Sequence, residues 1–341
     1  MTINKAKYLL AAAAVCVLAI VALGYYFFLT PFSAQEDTQY VYVDDDDTID
    51  SVLTKLRPVA TEHGLTGFGT IIRHTGYAKH PRTGRYAIDP GKSTLETVRK
   101  MRNGQQEAIM LTIPESRTMM KLAGVLGRKL MLDSVQIAAA LIDEPFCKRW
   151  GYDTATIAAL FVPNTYEVYW NVTLDRLMER MVKEHDNFWN EERKAKAEAA
   201  GLTPNEVTTL ASIIDEETAN VEEKPMIAGM YLNRLHKGMP LQADPTVKFA
   251  LQQFELRRIY HDMLFFDSPY NTYRNTGLPP GPIKIASIKG MEAVLNYVKH
   301  DFLYMCAKED FSGTHNFAVS YNEHLRNAAR YARALNDRGI K

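Results

Sequence analysis

Hydrophobic and polar positions along the 341 residues follow three different rhythms. Tyr8 to Leu29 is an unbroken run of apolar, small and aromatic residues without a charge, about the twenty residues that a membrane-spanning helix needs. From Tyr40 to about Leu111 shorter patterns alternate. Val41 and Val43 have strand spacing, and Ile49, Val52, Leu53 and Leu56 have helical spacing. Thr83 to Ile88 reads as a turn into a strand, Ser93 to Met101 as a helix and Ala108 to Ile113 as another strand. These pieces predict a small strand–helix–helix–strand module. Beyond Thr112 the helical period dominates. Helices are expected over Ser116 to Leu130, Ser134 to Ile142, Leu174 to Asn190, from Thr203 onward, Pro225 to Leu235 and Asn322 to Asn336. Between Leu241 and Pro282 the chain is rich in Pro, Gly, Asn and Tyr, a composition of loops that carry binding groups. The expected class is α+β: one transmembrane helix, a small α+β subdomain, then a mostly helical mixed domain.

The flanks of the first run orient it. Lys5 and Lys7 precede it, whereas Glu36, Asp37 and Asp44 to Asp47 follow. The positive-inside rule keeps residues 1–7 in the cytoplasm and sends everything after 8–29 outside. A cleaved signal peptide competes, but the run is longer than a usual signal core, and Pro31-Phe32-Ser33-Ala34 is a poor cleavage site. Val15 before Cys16, with apolar sequence continuing beyond, argues against a lipoprotein. An uncleaved anchor is the expectation, followed by a linker over 30–39.

Composition narrows the chemistry. Forty basic and forty acidic residues balance, so the chain lacks the basic footprint of a nucleic-acid binder. Apart from Cys16, only Cys147 and Cys306 occur, without metal-ligand spacing; a disulfide and two free thiols are both open readings. The Asp44 to Asp47 run lacks the spaced ligands, glycine turn and distal Glu of a calcium loop, and reads as a solvated lead-in to a helix. His315 and His324 are nine apart, unlike common metal pairs. No phosphate loop, dinucleotide fingerprint or serine-nucleophile elbow is present. Neither a metal nor a cofactor is expected.

The strongest chemical signal lies in the helix after Leu202. Thr203 suits the N-cap, Pro204 the first helical position, and Glu206 completes a capping box. At about 100° per residue, Val207, Leu210, Ala211, Ile213 and Ile214 form one apolar arc. Asp215, Glu216 and Glu217 follow. Glu217 projects from inside that arc, Glu216 from the opposite, solvated side, and Asp215 from the flank. A carboxyl aimed at the core is desolvated, which raises its pKa and suits a general acid. The competing reading pairs Glu217 with a cation such as Arg234 in a structural ion pair. Polar and aromatic residues of the following segment, Gln242, Asp244, Tyr270, Asn271 and Tyr273, together with His315, offer the hydrogen bonds and ring faces that sugars require. They are the candidate substrate-binding groups.

Six segments carry a resemblance: LTIPESRT at 111–118, FVPNTYEV at 161–168, LASIIDEETA at 210–219, MYLNRLHKGMPLQADPTV at 230–247, YNTYRNTGLPPGPI at 270–283 and FSGTHNFA at 311–318. In this order they resemble the YceG-like endolytic murein transglycosylases, the MltG family. The family's helix motif usually reads A-S-I-[IV]-E-K-E-T, and its second Glu is the catalytic one; aligned on Ser212 and Thr218, that residue is Glu217. Asp215 and Glu216 stand where the family has Glu and Lys, and Asn164 where it usually has Asp. The resemblance implies a LysM-like subdomain over 40–111 and a catalytic domain over 112–341. It implies cleavage of the β-1,4 bond between N-acetylmuramic acid and N-acetylglucosamine within peptidoglycan strands, leaving 1,6-anhydro ends. A cleaving domain anchored at the cytoplasmic membrane would act on strands as they are synthesised, so peptidoglycan synthases are the expected partners. A single marked carboxylate fits a reaction whose nucleophile belongs to the substrate, whereas ordinary glycosidases use two. The alternatives are a muramidase-type hydrolase, with Asp215 or Asp244 positioning water, and a non-catalytic glycan-binding scaffold.

Overall fold

The computed structural model describes residues 2–256 and 258–339. The chain folds into two compact units, Met1–Leu111 with Lys129–Leu132 and Glu167–Thr173, and Thr112–Arg128 with Asp133–Tyr166 and Leu174–Lys341. It is mixed α+β.

In the first unit, α1 (Thr2–Phe28) is a single apolar helix whose side chains from Tyr8 to Leu23 are all exposed. At about 1.5 Å per residue its 27 residues exceed the ~30 Å of a bilayer's hydrocarbon. It is followed by β1 (Gln39–Val43), α2 (Ile49–Leu56), α3 (Glu62–Arg73), β2 (Gly84–Ile88), α4 (Thr94–Arg102) and β3 (Ile109–Thr112). β1 and β2 pair antiparallel, with Val41 opposite Tyr86. The alternation of β1 turns Val41 and Val43 inward onto Val52, Leu56, Phe68, Tyr86 and Met101. Thr48, Thr61 and Ser93 cap the three helices, Ser93 in a reciprocal box with Glu96.

Two features differ from expectation. α3 carries Gly64, Gly67 and Gly69 and has weak intrinsic helix propensity, so its pattern is faint. The glycines are there for space: a Cβ on Gly67 would lie 2.2 Å from the Phe27 carbonyl oxygen. The aspartate run is not merely solvated. Lys55 Nζ reaches Asp44 at 2.5 Å and Asp47 at 2.6 Å, and the Asp47 side chain is only 5% exposed.

The second unit contains α5 (Met119–Lys129), α6 (Ser134–Leu141), α7 (Glu144–Arg149), β4 (Thr165–Val168), α8 (Leu174–Phe188), α9 (Glu191–Ala199), α10 (Pro204–Glu217), α11 (Lys224–His236), α12 (Asp244–Leu251), α13 (Ile288–Leu295), β5 (Tyr304–Ala307), β6 (His315–Ala318) and α14 (Tyr321–Asp337). β5 pairs antiparallel with β6. α10 is the central helix. Its capping box forms, with the Thr203 N–H donating to Glu206 Oε2 at 2.7 Å. Every residue from Val207 to Ile214 is buried, in a core shared with Tyr231, Leu232, Ile283, Met291 and Val294. Burial on all sides corrects the one-sided arc expected for α10, with consequences for Glu216. α12 corrects the reading of 241–282 as continuous loop. Two turns of helix starting Asp-Pro leave little periodicity to detect in so short a piece.

Candidate active site

The last turn of α10 delivers three consecutive carboxylates into three surroundings. Asp215 turns inward and its side chain is 1% exposed. It pairs with Lys224 and accepts hydrogen bonds from the Ser287 N–H at 2.6 Å and Ser287 Oγ at 2.8 Å. A Cβ on Gly290 would stand 2.5 Å from Asp215 Oδ1, so this nest requires a glycine there. Glu216 is not on a solvated face. Because α10 is enclosed, Glu216 is covered too, 17% exposed, and meets Arg117 at 2.8 Å and Lys284 at 3.5 Å.

Glu217 ends the helix, since Thr218 is extended (φ −145°, ψ 137°). Its Oε1 accepts a hydrogen bond from the Tyr231 hydroxyl at 2.7 Å. No ion-pair partner faces it among the described residues. Arg234, the expected alternative partner, is engaged elsewhere. It is 6% exposed and donates to the carbonyls of Leu303, Pro240 and Leu241 and to Gln242 Oε1, at 2.6 to 3.1 Å. Loss of water pushes the Glu217 carboxyl up to about 7. The Tyr231 hydrogen bond pulls the other way, Asp244 adds to the rise, and His315 and Lys248 oppose it.

Glu217 opens onto a cleft of about 240 Å³ also lined by Tyr231, Gln242, Asp244, Tyr273 and His315. Asp244 lies in the first turn of α12 and accepts from the Tyr273 hydroxyl at 2.6 Å. Burial first, then Asp244, raises the Tyr273 phenol well above its ordinary value, so it stays a donor. Gln242 sits in the left-handed region (φ 53°), a conformation costly for a non-glycine residue. It is held by its N–H to the Thr272 carbonyl at 3.1 Å and by Arg234. His315, on β6, is gripped by Glu223. Its backbone N–H donates to Oε1 at 2.6 Å, and its Nδ1 lies 2.9 Å from Oε2.

Four of the six predicted binding residues therefore share the cleft with Glu217, and two do not. Tyr270 packs its ring on Phe249, centroids 4.6 Å apart. Asn271 is fully buried and donates to the carbonyls of Leu264 and Phe266; its Oδ1 accepts the Tyr273 N–H at 3.0 Å, so it shapes the turn that presents Tyr273. Sequence reasoning passed over Tyr231 and Glu223. The polar member of an apolar helix stretch is the one available signal for Tyr231. Glu223 acts on a residue 92 positions away and leaves no local trace. Cys147 is buried, Cys306 lines the cleft, and both are free thiols.

A family model described as the YceG-like family matches residues 41–330. The chain belongs to the YceG-like family. Among its relatives is the endolytic murein transglycosylase of Bacillus subtilis (strain 168), 30% identical over 306 residues, covering 85% of this chain and 83% of that protein. The endolytic murein transglycosylase of Streptococcus pneumoniae (strain D39) is 28% identical over 300 residues, covering 79% of this chain and 54% of its own length. The crystal structure of a YceG-like protein from Listeria monocytogenes superposes with a TM-score of 0.54 at 27% identity, over 86% of this chain and 99% of that one. This YceG-like chain carries, at the end of its central helix, a half-buried carboxyl whose pKa is pushed up to about 7.

Proposed function

We propose that this protein is a membrane-anchored endolytic lytic transglycosylase. It cleaves the β-1,4 bond between N-acetylmuramic acid and N-acetylglucosamine inside peptidoglycan strands and leaves 1,6-anhydro ends. The observation that carries the reading is Glu217: half-buried, unpaired with any cation among the described residues, and pushed to about 7. The names of the relatives, endolytic murein transglycosylases, supply the substrate class.

Glu217 gives its proton to the glycosidic oxygen as the bond to the anomeric carbon breaks and an oxocarbenium-like sugar develops. The carboxylate so formed takes the proton of the muramoyl 6-hydroxyl, whose oxygen closes on the anomeric carbon. Glu217 ends protonated as it began, and no water is consumed. An intramolecular nucleophile brings a high effective concentration, so a second carboxylate is not obligatory. Gln242, Asp244, Tyr273 and His315 are assigned to holding the sugars in the cleft.

In this reading residues 1–7 are cytoplasmic, 8–29 span the cytoplasmic membrane, 30–39 link, and the catalytic domain over 112–341 acts on the outer side. The exposed apolar surface of α1 supports the anchor. The 40–111 module is LysM-like; the antiparallel β1–β2 pair enclosing α2 and α3 in sequence supports that assignment. An enzyme tethered beside the membrane acts on nascent strands, terminates their growth and has peptidoglycan synthases as neighbours.

The test is product analysis. Purified peptidoglycan is incubated with the full-length protein in detergent and with Glu217→Gln, and the fragments are weighed by mass spectrometry. Anhydro-muramoyl ends from the wild type alone support the proposal. Reducing ends would make it a hydrolase, with Asp244 as the candidate water-positioning group, because Asp215 is enclosed and fully engaged. No cleavage by a folded, glycan-binding wild type would favour a scaffold.

A further inference from the structure

The first unit holds a second concavity, of about 1030 Å³, on the side where the α3–β2 connection faces the end of α4. Its lining contains Arg82, Arg102 and His80 and no carboxylate. Three lysines of this unit are matched, Lys55 with Asp44 and Asp47, Lys92 with Glu96, and Lys100 with Asp89 and Glu107. Arg82 and Arg102 are exposed and have no ion-pair partner among the described residues. Arg102 ends α4, where a cation suits the helix dipole. Arg82 has no such reason. Its side chain lies across Gly104, which has φ +69°; a Cβ there would come 3.2 Å from Arg82 Cδ.

Two residues of the same lining each enclose a polar atom that is left without a partner. Tyr77 is 4% exposed and its hydroxyl has no hydrogen bond; nor has the amide oxygen of Gln106. An unmade hydrogen bond at a buried group costs about 1–3 kcal/mol, so such atoms ask for a ligand or water. The two demands are different. The guanidinium forks want an oxyanion, which they bind in a bidentate way. The Gln106 oxygen wants an N–H donor. A carboxylate-bearing peptide answers both, since its backbone amides donate where its carboxylates accept. A glycan joined to its peptides brings no free oxyanion of its own, although removing the peptides uncovers a lactyl carboxylate on each muramic acid.

We propose that this concavity is a peptide-carboxylate site, in which Arg82 and Arg102 bind carboxylates while Gln106 and Tyr77 take the adjoining amide. Its ligand is the stem peptide of the murein strand; that identity rests on the transglycosylase reading, whereas the peptide-carboxylate chemistry does not. The site holds the strand by its peptides, away from the bond that is cut, and gives the protein a preference for peptide-bearing over denuded glycan.

The experiment uses the full-length protein in detergent, wild type and the double variant Arg82→Ala/Arg102→Ala, with folding checked by circular dichroism. Cosedimentation is measured with intact murein and with murein stripped of stem peptides by an amidase, its freed lactyl carboxylates blocked as methylamides. In parallel, binding of the acetylated dipeptide Ala–Glu is followed by ligand-observed NMR. The wild type is expected to prefer intact murein by about tenfold or more, the size of a charge-assisted contact. The double variant should bind both mureins at the stripped level, lose the dipeptide signal, and cleave stripped glycan at the wild-type rate. Wild-type binding of the dipeptide without any cleavage would sink the transglycosylase reading and leave the peptide site standing. A double variant that keeps the dipeptide, or a wild type with no preference between the mureins, would overturn the proposal. So would loss in the double variant of binding to short-chain phosphatidylglycerol alone, which would assign the arginines to a lipid headgroup.

Discussion

Asp215 and Glu217 leave the same helix two residues apart and enter opposite electrostatic surroundings. Asp215 is enclosed, but its charge is answered by Lys224, by the Ser287 hydroxyl and by the Ser287 N–H. Glu217 is only half-buried, yet a single phenol hydroxyl answers it, and Asp244 stands nearby with a charge of its own sign. Burial alone does not decide what a carboxylate becomes. A fully partnered carboxylate is a structural tie; one that loses water without gaining a cation holds its proton to near neutrality and is available for acid chemistry. Glu216, paired with Arg117 and Lys284, falls with Asp215.

The comparison can be broken at either end. The largest effect is expected from Glu217→Gln, which keeps the shape and removes the transferable proton: turnover of peptidoglycan should fall about 10²–10⁴-fold, measured as release of soluble muropeptides. Asp215→Ala attacks the other end and strands the Lys224 ammonium, 6% exposed, without its counter-ion. That should cost about 3–5 kcal/mol, read as a lower midpoint in denaturant. An Asp215→Ala protein as stable as the wild type would remove the distinction drawn here.

A third test concerns stability against pH, where the sign is distinctive. Folding raises the Glu217 pKa from an ordinary 4.5 to about 7. Between those values the folded state binds the extra proton, so this residue's contribution to stability falls as pH rises from 4.5 to 7 and is constant above. Removing the ionisable group should therefore stabilise the fold above pH 7, by up to about 3 kcal/mol. The advantage of Glu217→Gln over the wild type should close below pH 4.5. Parallel denaturation curves at pH 4 and pH 8 measure it; equal midpoints at both would contradict the desolvated carboxyl. The smallest effect is expected from Glu223→Gln, which weakens the grip on His315 without emptying the cleft. Activity should drop about tenfold through KM more than kcat, as positioning of substrate is lost.

The distance between sequence and structure also divides along this helix. The capping box at Thr203 and the helical period from Val207 place Glu217 at the end of the central helix, because both are local. The arc does not sort the carboxylates: Asp215, read as the flank, is the enclosed one. The same wheel misplaced Glu216, since it could not know that α10 is enclosed on every side by α9, α11, α12 and α13. α3 stayed hidden because its glycines serve close packing rather than helix propensity, and α12 because two turns give little periodicity. Tyr270 and Asn271 lie in the right segment, but only folding decides that Tyr273 alone of that trio faces the cleft. The pairing of Glu223 with His315, and of Tyr231 with Glu217, is tertiary and has no signature along the chain.

The most direct test of the central claim is the pH dependence of kcat/KM on solubilised peptidoglycan, for the wild type and for Tyr231→Phe. A protonated Glu217 as the acid predicts a plateau that falls tenfold per pH unit above about 7. Tyr231 donates to the ionised form and so lowers the pKa; its removal should move this limb upward. A limb near 4.5, or one that Tyr231→Phe leaves in place, would mean that Glu217 is an ordinary carboxylate and not the proton donor of this site.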